Sequence, residues 1–130
     1  MKKIIVVAAI VINDKTILCV QRNNKGEAAL KWEFPGGKIE LGETCKEALI
    51  REIEEELKTI ITVDEYFVTI EHQYEKFHLT MYCYKCTSIS DIIVLNEHIN
   101  YCWLPINKLN TLDWAPADWP IIKKLESEGI

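Results

Sequence analysis

Four glutamates within residues 52–56 are the side chains of this chain best placed to do chemistry. If the segment is helical, roughly 100° separates successive residues, so Glu52, Glu55 and Glu56 share one face while Glu54 points away. Crowded carboxylates repel one another unless a positive charge lies among them, and divalent cations such as Mg²⁺ prefer these oxygen ligands. A solvated helix surface, with Arg51 supplying partial charge pairing, is the alternative.

A glycine-containing loop before this helix favours the first interpretation. Gly36 and Gly37 follow Phe34-Pro35 and precede Lys38. Two consecutive glycines permit a tight turn and let the main chain approach a ligand closely. We expect a main-chain carbonyl of this turn to add a metal ligand and Lys38 to meet a phosphate. A Gly-Gly-Lys triplet alone is usually an ordinary turn, so the spacing to the glutamates is what counts.

Strands and helices that would hold these residues can be predicted from periodicity. Thr44 and Glu47 fit a capping box at the start of a helix that runs to about Leu57, with Ile50, Ile53 and Leu57 on an apolar stripe. Strand patterns cover residues 3–12, 16–22, 60–74, 77–87 and 99–104, with turns at 13–15 and 75–76 and a polar loop at 23–30. A helical turn at 105–109 and an amphipathic helix at 119–128 follow; Ile121, Ile122 and Leu125 face inward. Strands on both sides of a central helix predict an α/β fold with a mixed sheet between helices.

Composition limits the remaining choices. The 130 residues suffice for one domain, 1–130, and the apolar start reads as a first strand rather than a signal peptide. No apolar run reaches transmembrane length. Five cysteines, an odd number, indicate reduced thiols in the cytoplasm. Cys83 and Cys86 have zinc-knuckle spacing, but strand alternation would place them on opposite faces of a sheet, which disfavours a zinc site.

The glutamates, the loop and the helix together resemble the Nudix hydrolases. The family signature, G-x5-E-x7-R-E-U-x-E-E, where U is apolar, is matched by Gly37, Glu43 and residues 51–56. The segments KWEFPGGKIELGET and LDWAPADWPIIKKL are similar to the MutT and CTP pyrophosphohydrolase branch. Two positions depart from the signature, since Lys58 replaces a glycine that ends the helix in a left-handed conformation, and Thr59 replaces an apolar residue. We expect these changes to lower stability rather than activity.

The resemblance implies an α/β/α sandwich and a Mg²⁺-dependent enzyme, with Mn²⁺ as a substitute, that cleaves a nucleoside triphosphate to a monophosphate and pyrophosphate in nucleotide-pool sanitation. Carried over by position, the metal ligands are the Gly36 carbonyl, Glu52, Glu55, Glu56 and Glu97. Glu52, or else Glu97, would accept a proton from the attacking water, Glu55 would complete the catalytic glutamates, and Arg51 would orient them. A solvated loop residue is the alternative for Glu97.

The resemblance also suggests substrate contacts: Arg22 and Lys38 for phosphate, Phe34 and Phe77 for the base, and Asp118 for base recognition. The two phenylalanines could equally be core residues, and Asp118 could be an ordinary cap of the last helix. Asp118 stands where MutT enzymes carry a base-reading asparagine. Because an ionised carboxylate only accepts hydrogen bonds, it slightly favours cytosine, whose amino group donates, over oxidised guanine.

Two other functions remain open at this stage. A nucleotide-sensing Nudix-like domain without catalysis would normally lack some of the glutamates, and none is missing here. A hydrolase for dinucleotides or nucleotide sugars would usually carry further motifs or domains. The expected partner is a nucleoside triphosphate, with no nucleic acid or membrane, and the chain is expected to be a monomer or weak homodimer.

Overall fold

The computed structural model describes residues 1–90 and 92–130, and within them seven strands form one mixed sheet. The strands are β1 (Lys2–Asn13), β2 (Thr16–Gln21), β3 (Trp32–Glu33), β4 (Gly36–Lys38), β5 (Ile61–Gln73), β6 (Phe77–Ser88) and β7 (Asn100–Leu104). The α-helices are α1 (Cys45–Leu57) and α2 (Trp119–Glu128), and the 3₁₀ helices are Ile106–Thr111 and Pro116–Asp118. The bounds of β1, β2, β5, β6, β7 and the two α-helices agree with the predicted elements to within a few residues, whereas β3, β4 and the short helix Pro116–Asp118 were not predicted.

The sheet is built around the pairing of β1 with β6. The main strand order is β3-β2-β1-β6-β5, with β4 also paired to β1 and β7 to β2. β1 and β6 are parallel over a long register that begins at Lys2 opposite Phe77. The other pairs are antiparallel, so the sheet is mixed, as predicted.

Each face of the sheet buries one α-helix. Alternate residues of β1 point to opposite sides, as strand geometry requires. Ala8 and Ile10 pack in the cluster that contains the inward residues of α2, which are Ile121, Ile122 and Leu125. Val7, Ala9 and Val11 pack in the cluster that contains Ala48, Leu49, Ile53 and Leu57 of α1. The α/β/α sandwich is therefore confirmed, and Cys83 and Cys86 lie in opposite clusters, as their spacing predicted.

Helix α1 begins as predicted, and Ile53 and Leu57 of its predicted apolar stripe are buried, but Ile50 is not. The Thr44 side chain accepts from the Glu47 main chain while the Glu47 side chain accepts from the Thr44 main chain, which completes the capping box. The prediction that Ile50 belongs to the buried stripe was wrong, because Ile50 is 39% exposed. It lies at the outer edge of the stripe, and the small Ala48 on the other edge is buried instead.

The two departures from the signature end α1 and start the chain toward β5. Lys58 adopts φ 54° and ψ 32°, the left-handed conformation that usually favours glycine, and its N–H donates to the Glu54 carbonyl. Thr59 is fully buried, and its hydroxyl donates to the Ile92 carbonyl. The helix therefore ends in the geometry the family requires, but with a side chain that disfavours it.

As for membranes, none of the helices in residues 1–90 and 92–130 is both long and apolar enough to span one.

We predict that Lys58→Gly stabilises the protein by about 1 kcal/mol, because glycine adopts this left-handed conformation without a β-carbon clash. Guanidinium denaturation of the two proteins measures the change in unfolding free energy. Lys58→Ala is the control, since it removes the long side chain but keeps the β-carbon, and it should not reproduce the gain. Loss of stability in Lys58→Gly would show that the lysine side chain itself stabilises the helix end.

Candidate active site

Arg51 holds the acidic groups of the signature together. Its Nε and Nη2 donate to the two carboxylate oxygens of Glu43, at 2.6 and 2.9 Å, in a bidentate pair. Its Nη1 lies 2.9 Å from Glu52 and 3.1 Å from Glu55, and Nη2 also donates to the Lys38 carbonyl at 3.1 Å. These bonds raise the pKa of Arg51, and the Arg51 guanidinium lowers the pKa of the Glu43 carboxyl. Arg51 therefore fixes the direction of the glutamates and ties the loop to α1.

The two glycines let β4 lie against both β1 and α1. A β-carbon at Gly36 would overlap the Val7 carbonyl, and one at Gly37 would overlap the Glu52 carboxylate. The sequence predicted a close main-chain approach at these glycines. In the structure, the group that lies against Gly37 is the Glu52 carboxylate of the same chain. Gly37 therefore sets how near Glu52 can come to the loop.

An acidic cavity of about 740 Å³ opens between the loop and α1. Five glutamates line it: Glu33, Glu40, Glu52, Glu56 and Glu97. Lys38 and His98 line it as well. Burial raises the pKa of the Glu56 carboxyl, and the negative charge of Glu97 raises it further. Glu55 is exposed on the same helix face, paired with Arg51, and is not part of this lining. The structure thus brings Glu97 to the glutamates of α1, although forty residues of chain separate them.

The oxygen donors of this cavity suit a hard divalent cation. Burial is the main cause of the raised pKa of Glu56, and the negative charges of Glu97, Glu52 and Glu55 add to it; a divalent cation bound here would favour the ionised carboxylate. Across the described residues, no three acidic, histidine or cysteine side chains converge into a finished coordination sphere. Glu52 and Glu55 instead pair with Arg51. The donor chemistry fits the metal, and its residues would be Glu52, Glu56 and Glu97.

A second, apolar cavity of about 290 Å³ adjoins the first. Phe34 and Phe77 both line it. Phe34 is 3% exposed and stacks on Trp114 with ring centroids 4.7 Å apart, so it is a core residue as well as a wall of the cavity. Arg22 and Lys38 line both cavities, and Arg22 pairs with Glu33 at 3.0 Å. Ligands in the two cavities would therefore share one wall of the protein.

Asp118 is at the buried end of the apolar cavity and does not cap α2. Its side chain makes no cap hydrogen bond to the helix; Oδ2 instead accepts from the Phe34 N–H at 3.0 Å. The interpretation of Asp118 as an ordinary side-chain cap was therefore wrong. Burial raises the pKa of its carboxyl well above the usual range, the nearby charge of Glu33 adds to this, and the Phe34 N–H opposes it.

Three residues of this region were missing from the predicted site. Glu43 was quoted in the signature, and its bond to Arg51 gives it a structural role. Glu33 and His98 form a 2.8 Å hydrogen bond between the shared wall and the loop that carries Glu97. A contact between residues so distant in the chain leaves no local pattern, and only their places beside Phe34 and Glu97 hinted at it.

Comparisons with known proteins agree with this geometry. The family model for the NUDIX domain matches residues 2–125. A CTP pyrophosphohydrolase of Escherichia coli K12 is 33% identical over 123 residues, covering 95% of this chain and 91% of that protein. An 8-oxo-dGTP diphosphatase of the same strain is 32% identical over 127 residues, covering 97% and 98%.

A solved structure points the same way. The solution structure of a DNA mismatch repair protein MutT, of the Nudix hydrolase family, from methicillin-resistant Staphylococcus aureus 252 is 48% identical. It superposes with a TM-score of 0.79 over 99% of this chain and 100% of that one. The family match spans nearly the whole chain. Of the signature residues, Gly37, Glu52 and Glu56 line the acidic cavity, and Arg51 bonds Glu43, Glu52 and Glu55. The chain belongs to the Nudix hydrolase family.

Proposed function

We propose that this protein is a Mg²⁺-dependent nucleoside triphosphate pyrophosphohydrolase with a slight preference for cytosine nucleotides, normal or oxidised. The supporting observation is that an apolar cavity with a polar group at its end opens beside an acidic cavity, with Arg22 and Lys38 along their common wall. A base would enter the first cavity and the phosphates the second. The names of two relatives, a CTP pyrophosphohydrolase and an 8-oxo-dGTP diphosphatase, support nucleoside triphosphates as the substrate class.

In this proposal the acidic residues hold the metal. Glu52, Glu56, Glu97 and the Gly36 carbonyl are the proposed ligands, with Glu55 joining from the exposed edge of the helix face. Mg²⁺, and Mn²⁺ in its place, supplies positive charge that neutralises the triphosphate and lowers the pKa of a water molecule. The raised pKa of Glu56 supports this assignment, because a carboxyl pushed toward its neutral form by burial and neighbouring charges is one that a cation restores.

The protein groups then position the reactants and move one proton. Glu52 accepts the proton of the attacking water at a carboxylate oxygen, with Glu97 as the second candidate. Water attacks the β-phosphorus, and the bond from this phosphorus to the oxygen that bridges it to the α-phosphorus breaks. That oxygen leaves with the monophosphate, and the water oxygen stays on the pyrophosphate. Arg22 and Lys38 hold phosphate oxygens. Arg51 stays with Glu43 and keeps Glu52 in place, so it orients the site without contacting substrate.

We assign recognition of the base to Asp118 and to the rings of Phe34 and Phe77, which line the apolar cavity. Phe34 and Phe77 offer flat apolar surfaces, and the cavity of about 290 Å³ is small for a whole nucleotide, since typical small-molecule sites span about 300–1,000 Å³. An ionised Asp118 would accept from the cytosine amino group. Its raised pKa favours the second candidate, an 8-oxo-dGTP diphosphatase, because a protonated carboxyl both donates and accepts, as an asparagine does.

We expect Glu55→Gln and Glu56→Gln each to lower kcat by about 100-fold or more, since loss of a ligand exceeds the roughly 10–100-fold cost of losing an outer-shell partner. Pyrophosphate release from CTP and oxidised dGTP with Mg²⁺ measures it, and thermal unfolding checks that the fold is kept. Glu54→Gln is the matched control, because Glu54 is exposed away from this face and its variant should keep wild-type turnover. Near-normal turnover in both test variants would overturn the metal assignment.

Asp118→Asn tests base choice. We expect it to lower kcat/KM for cytosine triphosphates by about 1–3 kcal/mol, the worth of one well-placed hydrogen bond, and to spare or improve oxidised dGTP. The measurement is pyrophosphate release across a nucleotide panel that includes oxidised dCTP. Asp113→Asn is the control, since Asp113 is an exposed partner of Lys31. An unchanged ranking of nucleotides in Asp118→Asn would remove Asp118 from base recognition.

The buried carboxyl also predicts a pH dependence of stability. A carboxyl whose pKa is higher in the folded protein keeps its proton there while the unfolded chain loses it at about pH 3.9. The contribution of Asp118 to the unfolding free energy is therefore greatest at acid pH and falls as pH rises toward its raised folded pKa. Asp118→Asn has no such proton, so its stability relative to wild type should increase with pH. Urea denaturation between pH 4 and 8 measures the difference, and a constant difference contradicts the buried carboxyl.

A further inference from the structure

Within the described part of the chain, three hydrogen bonds join residues 97–99, the segment that carries Glu97, to the rest of the molecule. The Asn23 side chain donates to the Glu97 carbonyl at 3.4 Å, and the Ile99 N–H donates to the Gln21 carbonyl at 3.0 Å. The third bond joins His98 Nε2 to Glu33 Oε2 at 2.8 Å. The first two bonds fix the main chain on either side of His98. Only the third ties this segment to β3 and so to the wall shared by the two cavities.

The His98–Glu33 bond is better shielded than the bond from Asn23, which is exposed. The His98 side chain is only 9% exposed and that of Glu33 is 22% exposed. The other Glu33 oxygen accepts from Arg22, so the carboxylate bridges the histidine and the arginine. An ionised carboxylate only accepts, which places a hydrogen on His98 Nε2. A partly buried charge-assisted bond of this kind is stronger than a neutral one at the surface.

His98 follows Glu97 directly and lines the acidic cavity beside Glu56. We propose that His98 is a positioning residue that fixes Glu97 opposite Glu56 by clamping its loop to Glu33. The inference rests on the role given to Glu97 in the proposed function. In this inference, the Glu33 carboxylate that accepts from Arg22 also sets the position of the Glu97 carboxylate, through His98. His98 acts through the length of its side chain and the N–H donor at Nε2, and it does not contact the reacting atoms.

His78 provides a matched control within the same chain. Its Nε2 lies 3.1 Å from Glu71, so it makes the same kind of histidine–glutamate bond. That pair lies in a separate cleft with Lys3 and Thr80 and is not part of the lining of either of the two cavities described above. His78→Ala therefore reports the cost of deleting a more exposed histidine–glutamate pair away from both cavities, and an effect on the Glu97 segment should appear only in His98→Ala.

The first experiment measures hydrogen exchange of the Ile99 amide without nucleotide or metal. We expect His98→Ala to speed this exchange at least about tenfold, because the loop loses a charge-assisted bond, while His78→Ala leaves it unchanged. His98→Gln, whose amide can donate to Glu33, should restore most of the protection. Wild-type protection of Ile99 in His98→Ala would overturn the clamp, whatever the enzyme's substrate proves to be.

The second experiment is a double-mutant cycle on turnover with Mg²⁺. We expect His98→Ala to lower kcat by about 10–100-fold with little change in KM, as for outer-shell partners, and His98→Gln to recover most of it. In a Glu97→Gln background, His98→Ala should add little, because both changes act through one carboxylate. Independent, multiplying losses would overturn the inference. Wild-type turnover in Glu97→Gln would instead contradict the proposed role of Glu97, and faster Ile99 exchange would still support the clamp.

Discussion

The guanidinium of Arg51 is the interaction on which the site depends. Glu52 and Glu55 of α1, and Glu43 just before it, would repel one another without a cation, and Arg51 contacts all three while also binding the main chain of Lys38. One planar cation with several fixed donors can do this, whereas a lysine could not hold the same directions. The protein itself therefore holds the carboxylates of Glu52 and Glu55 in fixed directions. The carboxylates of Glu56 and Glu97, which Arg51 does not bond, line the acidic cavity, where burial and the charge of Glu97 raise the pKa of the Glu56 carboxyl.

The site joins parts of the chain that are far apart in sequence, and the sheet brings them together. β1 pairs with β4 of the glycine loop, and Arg22 directly follows the end of β2. Helix α1 supplies Glu52 and Glu56, and the residues before α2 supply Asp118. Glu33 is the point where the two cavities meet, because it pairs with Arg22 and with His98. The walls of the two cavities are thus linked through one carboxylate.

Local features were predicted well because local physics determines them. The capping box at Thr44 and the inward face of α2 each depend on neighbouring residues, and each is present in the structure. Ile50 was misplaced because helical periodicity does not tell which edge of the stripe the sheet covers. Asp118 has cap position but bonds to Phe34, and His98 bonds to Glu33. Such contacts depend on how distant segments pack, which periodicity and spacing do not encode.

The parallel pairing of β1 with β6 has a consequence for how the protein is made. Lys2 lies opposite Phe77, so the centre of the sheet closes only when more than half of the chain has been synthesised. Until then the strongly apolar β1 can pair with β2 in a local hairpin, but its other edge lacks its final partner. Contacts so distant in sequence slow folding, and an unpaired apolar edge invites aggregation. The strand that later forms the most protected part of the molecule is therefore its most vulnerable part during synthesis.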